Sequence, residues 1–495
     1  MAVKVDTQKE IIFGSSDSNI SRVLSKKEKD GELRKVAPRI YTTNLVDSLE
    51  KIVRRNFMDI LVYRYPDAII SHRSAKEMRP TATGDFFLTN STTRRVTDLP
   101  GIILNFVKGP KASSHDIPFM GMHISGEHRY MLENMQVSRK SGDESRVLPI
   151  SVIENKLEQI LLTGGEDRLN EYRDELRNVA EELGMQSEFA KINSIISALL
   201  STHDAKVLST DSAKALAAGN PFDKTRVELF EVLFDAIKDR YFVIRNNRNT
   251  DEESFRLFSF FESYFSNYIE GTEFEIDEAK AIVDSGIPMP HRDEDSHDIL
   301  GTFKVISNRA EMMTTPSSPK ELFSILSHRH SILLEGRPHM NPGIFKTKNN
   351  RAGMTEFVDS QLVKGTLSQG FKYYAALTDP FARAIFMMFM ISEVHPFNDG
   401  NGRIARVMMN AELVRADQSR IIVPTVFRED YILALRKLTR HKDPLAYINV
   451  MTKLHQFSDN LYGANFTELK NYLAACNAYE EPSQAKLQII GHKTH

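Results

Sequence analysis

The chain has 495 residues, of which 41% are apolar and 26% charged, enough to fill the cores of several domains. Its formal net charge of −2 excludes a polycation, so any nucleic-acid surface has to be local. A single cysteine, Cys476, excludes an internal disulfide and a cysteine-built metal cluster, and fits a reducing compartment.

In chain order, the N-terminus MAVKVDTQKE lacks an apolar signal segment. Residues 1–45 read as short helices followed by a tight β-hairpin, GELRKVAPRIYTTN, in which Val36, Ile40 and Tyr41 supply strand character. Between Ile20 and Arg55 there are ten Lys/Arg against five Asp/Glu, a local basic surplus. Residues 46–148 mix strands (FFLTN, GIILNFV) with helices, giving an α+β region. Residues 149–224 read as a helical connector, and segments 155–183 and 225–244 carry apolar residues at spacings of three and four. Turn clusters at 108–114, 218–223 and 314–319 punctuate the chain. The second half is nearly all helix. Its exception is the turn-rich stretch 338–358, expected to form a small hairpin flap. The apolar run 384–394 is too short to cross a bilayer and predicts a buried helix. Residues 431–495 are expected to be helical and to buttress the preceding core. The predicted fold class is mainly α, preceded by an α+β N-terminal region, in a cytoplasmic protein without a membrane partner.

The strongest chemical signal is His395-Pro396-Phe397-Asn398-Asp399-Gly400-Asn401-Gly402-Arg403-Ile404-Ala405-Arg406. Asp379 and Pro380 suit the cap and first turn of the helix before it, and helical spacing resumes at Ile404. The segment is therefore a loop whose end opens a helix. Gly400 and Gly402 allow a ligand to approach the backbone, and helix-opening N–H groups favour an anion. Asn401 adds a neutral donor. Arg403 and Arg406, three apart on one face, reach phosphate oxygens. Asp399, a lone carboxylate among anion binders, suits Mg²⁺ held jointly with phosphates. His395 is neutral near pH 7 and so available as a general base.

These twelve residues are similar to the Fic family motif HPFx[DE]GNGRxxR at every defined position. The resemblance covers about residues 225–430 and implies an all-helical core with a hairpin flap. It implies that His395 deprotonates a Ser, Thr or Tyr hydroxyl of a target protein, or of the enzyme itself. That oxygen then attacks the α-phosphorus of ATP. It assigns Asp399 to Mg²⁺, Asn401 with the loop amides to the α-phosphate, and Arg403 and Arg406 to the outer phosphates. The phosphorylating Doc branch usually has Lys where this chain has Gly402, which favours AMP transfer. Gly343, Ile344, Phe345, Lys346 and Thr347 resemble the family's target-docking flap.

Upstream, Ser266-Asn267-Tyr268-Ile269-Glu270-Gly271 ends a helical run and resembles the [ST]xxxE[GN] motif of Fic inhibitory helices. Ser266 and Glu270 share a helical face, and Gly271 suits a helix stop. The resemblance implies that Glu270 pairs with Arg406 where the γ-phosphate would sit, which is autoinhibition. Removal of AMP, with Glu270 orienting water, or transfer of a different group is the alternative reaction.

Residues 20–42 resemble the end of a winged helix-turn-helix and its wing, and the continuation to about residue 110 resembles AbiEi-type antitoxin regulators. That implies DNA contacts by Lys26, Lys27, Arg34 and Lys35. The rival readings are a solvated basic face and a protein-interaction module, with His72 and Arg73 as buried polar residues.

Overall fold

The computed structural model describes residues 9–202, 204–353 and 355–491. Helix dominates, and the chain divides into two compact units, one ending at Ala218 and the other beginning at Gly219.

The N-terminal unit is α+β. Ile11–Phe13, Ile40–Thr42 and Arg34–Ala37 form a three-stranded antiparallel sheet with Ile40–Thr42 central. The expected hairpin is its second half. One helix, Ser18–Lys29, capped by Asp17, accompanies it. A helix-turn-helix needs two helices, and only this one is present among the described residues up to 45, so they do not complete that motif. A mixed six-stranded sheet follows, in the order Arg94–Leu99, Ile102–Lys108, Asp85–Asn90, Ile69–Ile70, Met122–Ile124, Ile117–Phe119. His72 and Arg73 are buried beside it. The backbone N–H of His72 donates to Glu133, whose other carboxylate oxygen accepts from Arg129, itself paired with Asp116. The helices Ile150–Leu183 and Gln186–Leu199 pack a separate small core in the same unit. The first of these is broken at Gly165, whose φ of 73° no helix interior adopts.

The second unit is almost wholly helical around one large core. The helix expected over 225–244 stops at Ile237. Beyond it only Phe242 is buried, while Tyr241, Val243 and Ile244 are exposed, so the apolar residues there do not form a helical face. The central elements are Pro380–Val394 and Asn401–Arg415, antiparallel neighbours joined by the His395–Gly400 loop. Twelve of the fifteen residues of Pro380–Val394 are buried, as its unbroken apolar run requires. The helices Arg428–His441, Pro444–Ser458 and Phe466–Ala475 share this core. None of the described helices is long and apolar enough to cross a membrane.

Candidate active site

The loop is shaped by its own backbone and by two side chains beneath it. The helix Pro380–Val394 ends on His395, which adopts a left-handed conformation (φ 52°) and donates its N–H to the Ile391 carbonyl. That turn swings the imidazole out of the helix. It stacks on Phe357 with ring centroids 3.6 Å apart, and its Nδ1 lies 3.3 Å from the Ser392 carbonyl. A carbonyl can only accept, so Nδ1 carries the proton and Nε2 keeps a free lone pair. Burial pushes the His395 pKa down to about 4, so the ring is neutral over the ordinary pH range.

Gly400, with φ 70°, turns the chain into the helix Asn401–Arg415. Asn401, expected to reach phosphate, does something else. Its Oδ1 accepts from the Phe397 N–H at 2.8 Å and its Nδ2 donates to the Phe397 carbonyl at 2.8 Å. Buried and with both ends engaged, it braces the loop. His330 supports the same loop from below. It stacks on Phe397, its Nδ1 accepts from Gly343 N–H, and its Nε2–H donates to the Asp399 carbonyl at 2.9 Å.

Glu270 closes the helix Glu252–Ile269, fourteen of whose eighteen residues are buried. An Arg406 guanidinium nitrogen donates to Glu270 Oε1 at 2.7 Å and to the Ser266 carbonyl at 2.8 Å, while Arg406 Nε donates to Ser266 Oγ at 2.9 Å. The Glu270 carboxylate also covers the helix opening: a Cβ at Gly402 would lie 2.1 Å from Glu270 Oε1. Gly402 thus leaves room for a negatively charged oxygen above the first turn, and Glu270 supplies one. Its side chain is 33% exposed and that of Arg406 only 6%. Burial opposes the Arg406 charge, but Glu270 and Tyr431 hold its pKa above the ordinary value. Gly271, at φ 94°, ends the helix directly afterwards. Further back, Glu262 ties this helix to the core through Arg420 at 2.9 Å and Asn410 at 2.9 Å.

Arg403 is not an open phosphate ligand. It is buried, with a guanidinium nitrogen 2.8 Å from Asp298 Oδ2 and another 3.6 Å from Asp399 Oδ2. Arg337 forks onto the same Asp298 at 3.1 and 2.7 Å. Asp298, 2% exposed, therefore sets the position of both arginines. Asp399 accepts from Gly400 N–H through Oδ1 at 2.7 Å, while its Oδ2 side faces Arg403 and Arg337 and is partly open. Among the described residues no group of three or more His, Cys, Asp or Glu side chains could hold a metal ion. One carboxylate beside an anion seat fits a magnesium ion only if phosphate oxygens complete its shell.

The hairpin expected within 338–358 lies near the end of that stretch. The hairpin is Arg351–Ala352 paired with Thr355–Glu356, whereas residues 343–347 form no strand. Pro342 and Gly343 turn the chain there, and Phe345 packs against Phe323 and Phe397. Lys346 is buried, its ammonium donates to Asn350 Oδ1 at 2.7 Å, and its backbone N–H donates to the Pro396 carbonyl. Burial lowers its pKa to about 8. Ile344 and Thr347 alone among these five present exposed side chains. In the N-terminal unit, Lys26 and Lys35 are exposed, Lys27 pairs with Glu32, and Arg34 donates to the Asp47 carbonyl at 2.8 Å.

Asp298, His330, Asn350 and Phe357 were not legible as site residues in the sequence. Each lies on an ordinary helix or loop outside any motif.

A neutral histidine, a glycine-opened helix start and an arginine behind it meet on a helical core. Residues 323–413 match the Fic/DOC family, and the chain carries a Fic/DOC domain. The chain is 24% identical over 231 residues to the protein adenylyltransferase fic-1 of Caenorhabditis elegans, covering 45% of each. It is 25% identical over 219 residues to the protein adenylyltransferase Fic of Nematostella vectensis, covering 41% of this chain and 48% of that one. The chain thus spans about half the length of the curated relatives it matches. A solved structure of Fic-1 from Caenorhabditis elegans covers 66% of this chain and 94% of its own, at 15% identity and a TM-score of 0.36.

Proposed function

We propose that this chain is an autoinhibited protein adenylyltransferase that moves AMP from ATP to a Ser, Thr or Tyr hydroxyl of a target protein, itself included. The observation that carries the reading is the Glu270 carboxylate seated over Gly402 and bound to Arg406, where an anionic phosphate would otherwise sit. His395 Nε2 takes the proton of the target hydroxyl. The hydroxyl oxygen forms a bond to the α-phosphorus, and the bond to the bridging oxygen breaks, so pyrophosphate leaves with the electron pair. The Asn401-braced amides face the phosphates. Asp399 would hold magnesium together with phosphate oxygens, and that ion would neutralise charge on the leaving group. The strands Arg351–Ala352 and Thr355–Glu356, with Ile344 and Thr347, form the surface against which a target segment would lie.

Autoinhibition follows from competition for one seat. The inhibitory helix is anchored in the core by Glu262 and Arg420, so relief requires the Glu270 side chain to swing away rather than the helix to leave. ATP labelled separately at the α- and γ-phosphates tests the reaction type. The Glu270→Gly protein is expected to retain the α label covalently and not the γ label. Retention of the γ label would make it a phosphotransferase.

A second reading concerns the N-terminal unit, where the exposed Lys26 and Lys35 lie within a local basic surplus. DNA binding there predicts gel retardation that weakens with salt and with charge reversal at both lysines. No retardation at low salt would refute it.

A further inference from the structure

Lys346 lies in the stretch expected to dock a target, yet it is only 3% exposed, so its side chain cannot meet one. It turns inward, to the loop that carries His395. Its ammonium donates to the Val394 carbonyl at 3.4 Å and its backbone N–H to the Pro396 carbonyl at 2.8 Å, so one residue holds the carbonyls on both sides of His395. The same ammonium donates to Asn350 Oδ1 at 2.7 Å, and Asn350 Nδ2 donates to the Phe397 carbonyl at 2.9 Å. Asn350 also stands at the foot of the hairpin. Its carbonyl accepts from the Phe357 N–H at 3.3 Å, and Phe357 is the ring on which His395 stacks.

His395 needs this support. Its φ of 52° and ψ of 60° are left-handed, a region that residues with a side chain rarely adopt. Pro396 follows it, and the residue before a proline favours extended backbone. A conformation of this kind persists only where its surroundings fix it. The preceding helix fixes the His395 N–H through the Ile391 carbonyl, and Lys346 with Asn350 fixes the carbonyls around it.

We propose that Lys346 is a positioning residue for the base: by holding the Val394 and Pro396 carbonyls it fixes the left-handed turn that aims the His395 imidazole. The inference rests on the reading of His395 as the base given above and adds the residue that aims it. The ammonium also acts through its charge. Burial is the main cause of the low His395 pKa, and the nearby Lys346 charge lowers it further. The other charged groups facing the ring are Glu270 and Asp399, and those facing Lys346 are Asp359 and Arg226.

The test uses the full chain carrying Glu270→Gly. It compares Lys346→Met, which fills similar space without donors or charge, with Lys346→Arg, which keeps both. Calorimetry gives the ATP dissociation constant, single-turnover labelling gives the transfer rate, and an NMR titration gives the His395 pKa. Lys346→Met is expected to leave ATP binding unchanged, because the side chain holds the loop backbone and not the seat at Gly402. Transfer should fall about tenfold or more, the scale of a hydrogen bond from a charged group. The His395 pKa should rise, which moves the acid limb of transfer to higher pH. Lys346→Arg is expected to restore both. Undiminished transfer by a folded Lys346→Met protein would overturn the proposal. So would parallel losses of transfer and ATP binding with an unmoved His395 pKa, the pattern of general loosening. If Lys346→Met does not fold, the parent carries the test: the His395 ring resonances should shift as Lys346 loses its proton near pH 8, and resonances that stay flat through that pH would overturn the proposal. A parent protein that neither binds ATP nor transfers label would contradict the nucleotide-transfer reading on which the proposal rests.

Discussion

Asp298 is the residue on which the site's electrostatics turn, and its removal is the most demanding test of the described geometry. Its carboxylate is 2% exposed and holds Arg403 at 2.8 Å and Arg337 at 2.7 Å. Asp298→Asn keeps the shape and removes the charge. Arg403, itself 2% exposed, is left with Asp399 at 3.6 Å as its nearest remaining carboxylate. Breaking a buried pair by neutralising one partner costs about 3–5 kcal/mol, because the other charge stays buried without compensation. Arg337 is 19% exposed and keeps Glu294 at 3.6 Å, which brings the expected loss to the lower end, about 3 kcal/mol. At roughly 2–4 °C per kcal/mol for a unit of this size, the melting temperature should fall by about 6–12 °C. Arg403 should also swing toward Asp399 and occupy the oxygen that would face magnesium. Label transfer in the Glu270→Gly background should therefore fall by more than ATP binding does. Calorimetric melting and single-turnover transfer measure the two effects. An Asp298→Asn protein that melts within about 1 °C of the parent and transfers AMP normally would refute the role assigned to this carboxylate.

Three further outcomes follow from other contacts. Ser266→Ala deletes the acceptor of Arg406 Nε while Glu270 stays in place, so transfer should rise only about fivefold, the worth of one hydrogen bond, and an effect equal to that of Glu270→Gly would contradict it. Asn401→Asp keeps the acceptor for Phe397 N–H but sets an oxygen against the Phe397 carbonyl, so the loop should open and ATP affinity fall at least about tenfold in titrations with Glu270→Gly; unchanged affinity would mean that the brace is unimportant. His455 is buried, its pKa pushed down to about 4 mainly by desolvation, so the unfolded chain binds its proton first as pH falls. Its contribution to stability is complete above pH 6.5 and is lost toward pH 4, by at most about 3 kcal/mol. Urea midpoints between pH 7 and 4.5 should fall less steeply in His455→Gln, and identical slopes would contradict the assignment.

The loop from His395 to Arg406 and the pair Glu270–Arg406 were legible in the sequence because each chemical requirement sits at a fixed spacing on a short segment. A glycine-rich helix opening needs neighbouring residues, and Ser266 and Glu270 need only one helical turn. The residues that aim them were not legible. Asp298 and His330 lie more than sixty residues before the loop, on helices whose sequences read as ordinary amphipathic surface. Their roles arise only when helices pack and bury a charge that needs a partner. Asn401 and Arg403 had the right chemistry for phosphate, but the Phe397 backbone and Asp298 engage them, contacts that no spacing rule supplies. The hairpin was legible as a turn-rich stretch, but not that Phe345 and Lys346 are held under the loop and that the paired strands are Arg351–Ala352 and Thr355–Glu356. In the N-terminal unit the hairpin was legible from β-branched and aromatic spacing. The second helix of a helix-turn-helix was inferred from a resemblance, and the described residues supply only one.

In the proposed reaction Glu270 and a phosphate compete for one seat, with His395 as the base. The direct measurement is the initial rate of α-label incorporation into the full chain at saturating ATP and magnesium. It is taken for wild type, Glu270→Gly, and Glu270→Gly combined with His395→Ala. The proposed reaction implies slow labelling by wild type and a marked rise in Glu270→Gly. In the double variant the rate should fall about 10²–10⁴-fold, the usual loss when a positioned base is removed. Equal rates for wild type and Glu270→Gly in folded, ATP-binding protein, or undiminished labelling without His395, would contradict it.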